Sequence, residues 1–588
     1  MSLPRPSTEQ QPSKLGDFTT DRRVILLSVM ALLVGATSAV AALVLIRLIA
    51  LTTNLIWFGE ISTAQTFITA VKPSLWMVAA PALGGLIIGL MARFGTEKIR
   101  GHGIPEAIEA IMFGSSRMSP KVAVLKPLSS AISIGSGGPF GAEGPIIMTG
   151  GAIGSLFAQA FALTAAERKT LLVAGAAGGM TAIFGTPLAA VLLAVEVLLF
   201  EWKPRSLIPV IIAVCASAAM RPLFFATGPL FPFTGVIDLP AWGLAAVIGV
   251  GLVGGLQSSL MTQLLYGVED LFKRLPVHWM WWPMIGGVFV GIGGLFAPQA
   301  LGVGYDFIGE MLAGNVTLKI VAAMLLVKSV VWIIALSSGT SGGILAPVLI
   351  IGGALGWIEG QFLPGDPAFW ALMGMASVMT GTMRAPLTAI IFATELTGRQ
   401  DALLPLLAAA GAAHLVTVLI LKRSMLTEKI ARRGHHISQE YGVDPFEQKR
   451  VSDVMVREVD TLPATMPVSE AVAFFTSEGH HHKSYPVIND TRLVVGMATR
   501  ADVLRWQRDV ADGTEATLYS VASDASLVTV RADERLGALT DLMIETGLGR
   551  IPVVAADSHT LVGLVARKDV LRIRATARAG EEKREKFF

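Results

Sequence analysis

The chain has 588 residues, of which 53% are hydrophobic and 15% charged, and it carries a formal net charge of +3. This composition indicates an integral membrane protein rather than a soluble globular one. The sequence has no basic stripe with interleaved aromatic residues, which argues against a nucleic-acid partner.

Residues 1–21 are polar and contain prolines, which predicts a cytoplasmic N-terminal lead. Apolar runs then recur from Val24 to Leu421 and predict a membrane domain over residues 22–433, in which runs such as 24–46 are long enough to cross a bilayer. Basic residues flank this domain at both ends: Arg22, Arg23, Lys422, Arg423, Lys429, Arg432 and Arg433. The positive-inside rule therefore predicts a multi-pass protein with cytoplasmic N- and C-termini, and its compact loops favour a bacterial inner membrane.

Two sequence motifs recur in the same order in both halves of the membrane domain. The segment GPIIMTGGAIG at 144–154 matches APVLIIGGALG at 346–356, with a proline and three glycines in register. Similarly, TPLAAVLLAVE at 186–196 matches APLTAIIFATE at 385–395, and both segments end in a glutamate. Paired segments interrupted by glycine and proline predict a transporter built from a structural repeat, with its site where the halves meet. The alternative explanation is that small-residue packing motifs recur in membrane helices.

Three segments place glycines and a proline directly before an apolar run: GHGIPE at 101–106, GAEGP at 141–145 and GGILAP at 342–347. Proline is favoured in the first turn of a helix and glycine permits irregular backbone before it, so each segment predicts a helix that begins at membrane depth. Such an end has free N–H donors and the positive end of the helix dipole. Several of them together would bind an anion without any full positive charge.

Glu143 is the carboxylate within the second of these segments. Next to converging helix N-termini, its side chain would occupy the place of a permeating anion, and protonation would release it. We therefore expect Glu143 to act as a gate. The alternative is that Glu143 only caps its own helix, which uses the same electrostatics.

These motifs, in this order and spacing, resemble those of the CLC family of chloride channels and chloride/proton exchangers. The resemblance implies an all-α polytopic membrane domain of two inverted repeats, assembled as a homodimer with one anion pathway in each subunit. It also implies that Glu143 is the external gate and that the backbone at Gly103, Ile104, Ile344 and Leu345 coordinates the anion.

The chain departs from the family pattern at several of these positions. Ala142 stands where the family usually has Arg or Lys, and His102 stands where many members have the serine that donates to the central anion. An imidazole N–H can donate in its place, and the alternative is a histidine with ordinary partners beside the pathway. Leu426, or Met425 in another alignment, replaces the family's central tyrosine.

Proton coupling is also affected by a departure from the family. Typical exchangers end the helix after the Pro-Leu motif with two glutamates, whereas this chain has Glu196 followed by Val197. We expect Glu196, like Glu395, to stabilise the end of its helix, and Glu201, one helical turn further on, to serve as a substitute proton donor.

The region after the membrane domain has the composition of a soluble protein. A linker at 434–449 precedes two similar segments at 450–508 and 515–576, and a charged tail follows at 577–588. Each segment predicts a short strand, a helix, two strands and a final helix. The pair resembles a cytoplasmic α/β tandem CBS module, a regulatory unit that often binds adenine nucleotides.

The resemblance assigns Thr499, Asp502 and Asp569 as candidate nucleotide contacts, although the second repeat has Ala566 in place of the serine or threonine. The alternative is that both aspartates are helix caps. No other cofactor is implied. Three consecutive histidines, at 480–482, are interpreted as a solvated loop rather than a metal site, and no metal is expected.

We therefore predict chloride transport by a channel-like or weakly proton-coupled conductor, gated by Glu143 and regulated by the CBS pair. A strict proton/chloride antiporter is the alternative, and a CBS-bearing cation transporter is a weaker one. The chain is not predicted to be an enzyme. It lacks an HExxH and a Walker motif, and its GxGxxG at 249–254 lies in an apolar run where small residues serve helix packing.

Overall fold

The computed structural model describes residues 22–237, 239–240, 242–435, 437, 446, 449–477, 482–509, 516–522 and 527–573. Within these residues the chain divides into a helical unit that ends near residue 441 and a C-terminal unit that follows it. The predicted lead at 1–21, most of the linker at 434–449 and the tail at 577–588 lie outside the described residues.

The helical unit contains the same series of helices twice. The first half comprises α1 (Arg23–Trp57), α2 (Trp76–Phe94), α3 (Ile104–Met112), α4 (Pro120–Gly135), α5 (Glu143–Gln159), α6 (Ala165–Phe184), α7 (Pro187–Leu193) and α8 (Pro204–Met220). The second half comprises α9 (Gly243–Lys273), α10 (Trp282–Phe296), α11 (Tyr305–Leu312), α12 (Leu318–Ser337), α13 (Leu345–Glu359), α14 (Pro367–Met383), α15 (Pro386–Thr397) and α16 (Leu403–Ile420). The short helix α17 (Met425–Arg432) follows.

Equivalent helices of the two halves have equivalent neighbours. The helix α1 packs on α6 and α8, and α9 packs on α14 and α16. The pairs α5–α6 and α13–α14 are the most intimate in each half, while α2 packs on α10 across the two halves. The repeat is therefore a repeat of packing as well as of sequence.

The relative direction of the halves follows from two glutamates. Glu196, in the π-helical segment Ala194–Leu199 that ends α7, accepts a hydrogen bond from the backbone N–H of Thr388 at 2.8 Å, at the start of α15. Glu395, near the end of α15, accepts one from the N–H of Ala189 at 2.9 Å, at the start of α7. Because the end of each helix meets the start of the other, α7 and α15 run antiparallel, as an inverted repeat requires.

These contacts correct the expected role of the two glutamates. We predicted that each would stabilise the end of its own helix, but each carboxylate caps the N-terminus of the equivalent helix in the other half. The sequence alone could not show this exchange, since it depends on the inverted packing.

Among the described residues, seven helices are long and apolar enough to cross a membrane. Small residues allow these helices to pack closely. In the GxGxxG segment, for example, a Cβ added to Gly251 would lie 2.4 Å from the carbonyl oxygen of Ala409 on α16. The segment therefore serves helix packing, as predicted. The shorter helices α7, α13 and α15 lie among these spans in the chain.

The C-terminal unit contains two copies of one α/β motif. In the first, β1 (Leu462–Pro463), α18 (Val468–Thr476), β2 (Ser484–Ile488), β3 (Val494–Thr499) and α19 (Arg500–Asp509) follow one another, with sheet order β1-β2-β3. After α20 (Leu518–Ala522), the second contains β4 (Val530–Arg531), α21 (Leu536–Thr546), β5 (Arg550–Val554) and β6 (Leu561–Ala566), with sheet order β4-β5-β6. The first and second strands of each sheet are parallel and the last two antiparallel, so the predicted element order is confirmed.

The reciprocal capping has a measurable consequence. We expect Glu395→Ala to lower the free energy of unfolding by about 1–2 kcal/mol, because it leaves the first amides of α7 without an acceptor. Thermal unfolding in detergent measures the change. The control is Glu310→Ala on α11, whose side chain is exposed. Equal stability of Glu395→Ala and the control would show that the cross-repeat caps contribute nothing.

Candidate anion-binding site

The three glycine-rich segments meet where the two halves of the helical unit face each other. Gly141 and Gly343 exchange backbone hydrogen bonds of 3.2 and 2.8 Å, and Gly101 forms a backbone bridge with Ser341. The helices α3, α5 and α13 begin directly after these bridges. The predicted helix starts are therefore present, and they lie together.

Glycine is required at these loops because their backbones are almost in contact. A Cβ on Gly144 would lie 2.1 Å from the carbonyl oxygen of His102. One on Gly343 would lie 2.6 Å from the Oε1 of Glu143. Gly103, at the start of α3, has a φ of +88°, a conformation that other residues adopt only with strain. Side chains at these positions would push the helix starts apart.

Glu143 is completely buried at the start of α5. Its Oε1 accepts a hydrogen bond of 3.1 Å from the N–H of Ala346, in the first turn of α13. The bond thus runs from one half of the repeat to the other, beyond the helix that carries Glu143. Its Oε2 has no hydrogen-bond partner among the described residues. The carboxylate occupies a position in which a helix N-terminus would favour any negatively charged group.

The other predicted anion-binding residues line the same region. His102 is only 3% exposed, and its Nδ1 has no partner in the described part of the chain. Ile104, Ile344 and Leu345 are completely buried at the starts of α3 and α13. The structure therefore brings His102, Gly103 and Ile104 of one half close to the α13 start of the other. A ring nitrogen without a partner can form a hydrogen bond to a ligand.

Leu426 is buried in the first turn of α17, next to Met425. This helix packs on α3 and α14. A phenol does reach α17, from Tyr266 of α9, but its hydroxyl donates to the carbonyl oxygen of Met425 at 2.6 Å. Tyr266 therefore does not supply a free hydroxyl in place of the one that Leu426 lacks.

Two buried lysines are the residues that sequence reasoning missed. Lys126 of α4 donates to the carbonyl oxygens of Ile99 at 2.9 Å and Gly101 at 2.7 Å, and to the hydroxyl of Ser341 at 3.0 Å. At the equivalent place, Lys328 of α12 donates to backbone carbonyls in the loop before α11. Both side chains are completely buried. An alignment of the two halves of the sequence places Lys126 of α4 over Lys328 of α12, so the repeat could have revealed this pair.

Lys126 corrects the expectation of an anion site without a full positive charge. A Cβ on Gly103 would lie 3.3 Å from the Cε of Lys126, so its ammonium group is close to the start of α3. Its bonds to the loop fix the backbone that precedes His102. In a medium of low dielectric constant, such a charge adds strongly to the effect of the helix ends.

The three predicted proton-relay positions have different surroundings. Val197 is buried in the π-helical segment, and Glu196 caps α15. We predicted that Glu201 lies one helical turn beyond Glu196. This prediction is wrong, because Phe200, with a φ of +52°, ends the helix before Glu201. Instead, Glu201 accepts a hydrogen bond of 2.7 Å from Ser206 and lies 3.7 Å from the Nζ of Lys169.

A large charged cavity of about 860 Å³ lies beside the start of α3 and reaches α17. Glu106 of α3, which lines it, pairs with Lys429 at 2.8 Å and Arg433 at 3.0 Å on α17. Further basic side chains line the same cavity: Lys98, Arg100, Arg117, Lys273 and Arg432. Four glutamates line it as well, Glu97, Glu106, Glu109 and Glu269, so that basic side chains outnumber acidic ones by seven to four. Such an excess of positive charge raises the local concentration of anions.

The candidate nucleotide contacts in the C-terminal unit are engaged with neighbouring groups of their own repeat. Asp502 accepts hydrogen bonds from the hydroxyl of Thr499 at 2.5 Å and from Arg505 at 2.9 Å. Asp569 accepts one from the N–H of Ala566 at 3.0 Å. Asp569 therefore has the geometry of a helix cap, which was the alternative interpretation. At the first repeat the cap is Thr499, whose hydroxyl accepts a hydrogen bond of 3.1 Å from the N–H of Asp502. Of the three histidines, His482 is described, and it is exposed 3.5 Å from Asp460.

Comparison with known proteins identifies both units. The family model described as voltage gated chloride channel matches residues 83–418, more than half of the chain. The CBS domain model matches residues 451–509 and 521–576.

Similar proteins have been described in bacteria. A putative chloride channel protein ClcB-like of Ralstonia nicotianae is 26% identical, over 60% of this chain and 83% of that protein. The H(+)/Cl(-) exchange transporter ClcA of Klebsiella pneumoniae is 30% identical, over 54% of this chain and 70% of that protein. The crystal structure of a slow cyanobacterial Cl-/H+ antiporter shares the fold, with a TM-score of 0.62 and 23% identity over 71% of this chain and 99% of that one. The chain therefore belongs to the CLC family of chloride channels and transporters, as a multi-pass membrane protein of the anion-transport class with a tandem CBS module.

Proposed function

We propose that the protein conducts chloride through a pathway gated by Glu143, with weak coupling to protons. The observation that carries this proposal is the position of the Glu143 carboxylate, which lies at the start of α13 while belonging to α5. A carboxylate and a chloride ion are both anions that accept N–H hydrogen bonds, so they compete for the same helix end.

The gate then has two states. When Glu143 is ionised, its carboxylate holds the N–H of Ala346 and excludes the permeating anion. When it is protonated, the carboxyl group loses most of its attraction to the helix end, and an anion can replace it. External acid therefore opens the pathway.

The inner part of the pathway lies between the basic cavity and the start of α3. There, His102 replaces the hydroxyl donor of other family members, and the ammonium group of Lys126 adds a fixed positive charge near the loop. Tyr266, whose phenol reaches α17 in the described part of the chain, already donates to the carbonyl oxygen of Met425. Chloride is then held by one imidazole and the backbone, with fewer side-chain donors than in typical members.

Weak proton coupling is supported by the relay position. Val197 cannot carry a proton, and Glu196 is bound to the start of α15. Glu201 is the remaining candidate, although it interacts with Ser206 and Lys169. A strict antiporter is the second candidate function, because similar proteins are named H(+)/Cl(-) exchange transporters.

Assembly and regulation are proposed from the family resemblance. The protein would form a homodimer in a bacterial inner membrane, with both termini and the CBS pair in the cytoplasm. The exposed apolar side chains of the helical unit provide the surface for lipid and for the second subunit. An adenine nucleotide would bind the CBS pair and modify the rate of transport.

The decisive experiment measures chloride efflux and proton movement together in liposomes that contain the full-length protein. We expect chloride efflux that rises as the external pH falls, with little proton movement. Glu143→Gln mimics the protonated state, so its efflux should be high and nearly independent of pH.

The matched control is Glu359→Gln, since Glu359 of α13 is another glutamate with an Oε2 that has no partner among the described residues. Glu359→Gln should keep the pH dependence of the parent. A parent-like pH profile in Glu143→Gln would refute the gate. Uphill proton movement at a fixed ratio to chloride would establish the strict antiporter instead.

A second prediction concerns His102. If its imidazole donates to chloride, His102→Ala should weaken chloride binding by about three- to tenfold, the effect of one lost hydrogen bond, and His102→Ser should restore much of it. Calorimetric titration of the full-length protein in detergent measures the dissociation constant. His414→Ala is the control, because its Nδ1 also has no partner in the described part of the chain but lies on α16. Equal affinities of His102→Ala and the parent would remove His102 from the site.

A third prediction concerns the CBS pair. The full-length protein should bind ATP, and Asp502→Asn should weaken binding by about tenfold, because an aspartate at this position would hold the ribose hydroxyls. Asp490→Asn, at an exposed turn of the same repeat, should leave the affinity unchanged. Failure of the parent to bind ATP at millimolar concentration would contradict a nucleotide role.

A further inference from the structure

A cluster of charged side chains lies at the edge of the helical unit, where α6 and α8 begin. Lys169 belongs to the start of α6, and Lys203 and Arg205 flank Pro204, the first residue of α8. The carboxylate of Glu201 lies between two of them, with Oε1 3.7 Å from the Nζ of Lys169 and Oε2 3.9 Å from the Nζ of Lys203. The charges of Lys203 and Arg205 also act on Lys169, so these four charged side chains form one cluster, the α8 cluster.

The α8 cluster has more positive than negative charge, with three cations around one carboxylate. Glu201 already accepts a hydrogen bond of 2.7 Å from Ser206, and Lys169 donates to the carbonyl oxygen of Leu199 at 2.9 Å. The Nε of Arg205 is buried and has no hydrogen-bond partner among the described residues. The cluster therefore has excess positive charge and an unused N–H donor, which suit an anion with several oxygen acceptors.

The α8 cluster lies at the boundary between membrane and water. The span that contains α8 begins at Pro204, directly next to Lys203. Arg23, at the start of the first span, pairs at 2.8 Å with Glu167 of α6, two residues before Lys169. The starts of α1, α6 and α8 thus lie at the same edge of the membrane domain, where lipid head groups are found.

The side chains next to the α8 cluster are apolar and exposed. Trp202, between Glu201 and Lys203 in the chain, is 61% exposed. Ile208 and Ile211 of α8 are also exposed, and their spacing of three residues places them on one face of the helix. Tryptophan is enriched at the membrane–water interface. The surface therefore fits a ligand that carries both a negative group and hydrocarbon chains.

We propose that the α8 cluster binds the phosphate of an anionic phospholipid such as phosphatidylglycerol. Arg205 and Lys203 would donate to the phosphate oxygens, and the acyl chains would lie along Ile208 and Ile211. Basic sites between membrane helices are known to hold anionic head groups. The site is independent of the gating proposal, because none of its contacts involves Glu143.

The test titrates the full-length protein in detergent with dioleoylphosphatidylglycerol or dioleoylphosphatidylcholine and measures binding of the first lipid by native mass spectrometry. We expect phosphatidylglycerol to bind at least about tenfold more tightly, since each basic side chain at the surface favours an anionic lipid by about fivefold. Lys203→Gln and Arg205→Gln should each weaken binding of phosphatidylglycerol by about fivefold and leave that of phosphatidylcholine unchanged. Arg205→Lys should retain part of the preference, because it keeps the charge and loses the planar N–H edge.

Lys319→Gln is the matched control. Lys319 is an exposed lysine near the start of another span, α12, and does not belong to the α8 cluster. This variant should prefer phosphatidylglycerol as strongly as the parent does.

Glycerol 3-phosphate tests whether the phosphate alone is sufficient. We expect that an equal concentration of it does not displace phosphatidylglycerol, since it lacks the acyl chains; displacement would refute a lipid site. Equal binding of the two lipids by the parent, or parent-like preference in both Lys203→Gln and Arg205→Gln, would also overturn the proposal. The same spectra report the oligomeric state. A loss of dimer in these variants with unchanged lipid binding would show that the cluster is a contact between subunits instead.

Discussion

The structure depends on one constraint: the first N–H groups of a helix that begins inside the membrane need an acceptor. Lipid provides none, so a helix start at this depth must meet protein groups, water or an ion. In this protein the starts of α3, α5 and α13 share one region, and a carboxylate from α5 serves the start of α13. Helix starts without acceptors are costly in free energy at this depth. For the same reason, the region that these starts share favours negatively charged groups.

The inverted repeat meets this constraint repeatedly with exchanged partners. Glu196 caps the helix that carries Glu395, and Glu395 caps the helix that leads to Glu196. The carbonyl groups of the loops are served separately, because Lys126 and Lys328 donate to equivalent loops, each in its own half. Although the two halves pack alike, equivalent positions do not carry the same side chains. The loop before α3 carries the candidate anion contacts His102 and Gly103, whereas the equivalent helix α11 of the other half begins at Tyr305.

The sequence predicted much of this arrangement because its key features are local. Glycine and proline mark the helix starts directly, and the recurrence of two motifs reveals the repeat. The repeat marks Lys126 and Lys328 as a pair, but the partners of Lys126 and the cross-repeat role of Glu196 could not be derived in this way. Both depend on contacts between residues far apart in the chain, such as Lys126 with Ser341, and these contacts exist only once the halves are packed. Glu201 was misplaced for a different reason: the positive φ of Phe200 ends the helix where no glycine or proline marks a stop.

The central claim is that an anion can replace the Glu143 carboxylate at the start of α13. The most direct measurement is anomalous diffraction from crystals of the Glu143→Ala protein soaked in bromide, which removes the competing carboxylate and supplies a visible anion. We predict a bromide peak within hydrogen-bond distance of the N–H of Ala346. A bromide peak elsewhere in the pathway, with none at this helix start, would contradict the account.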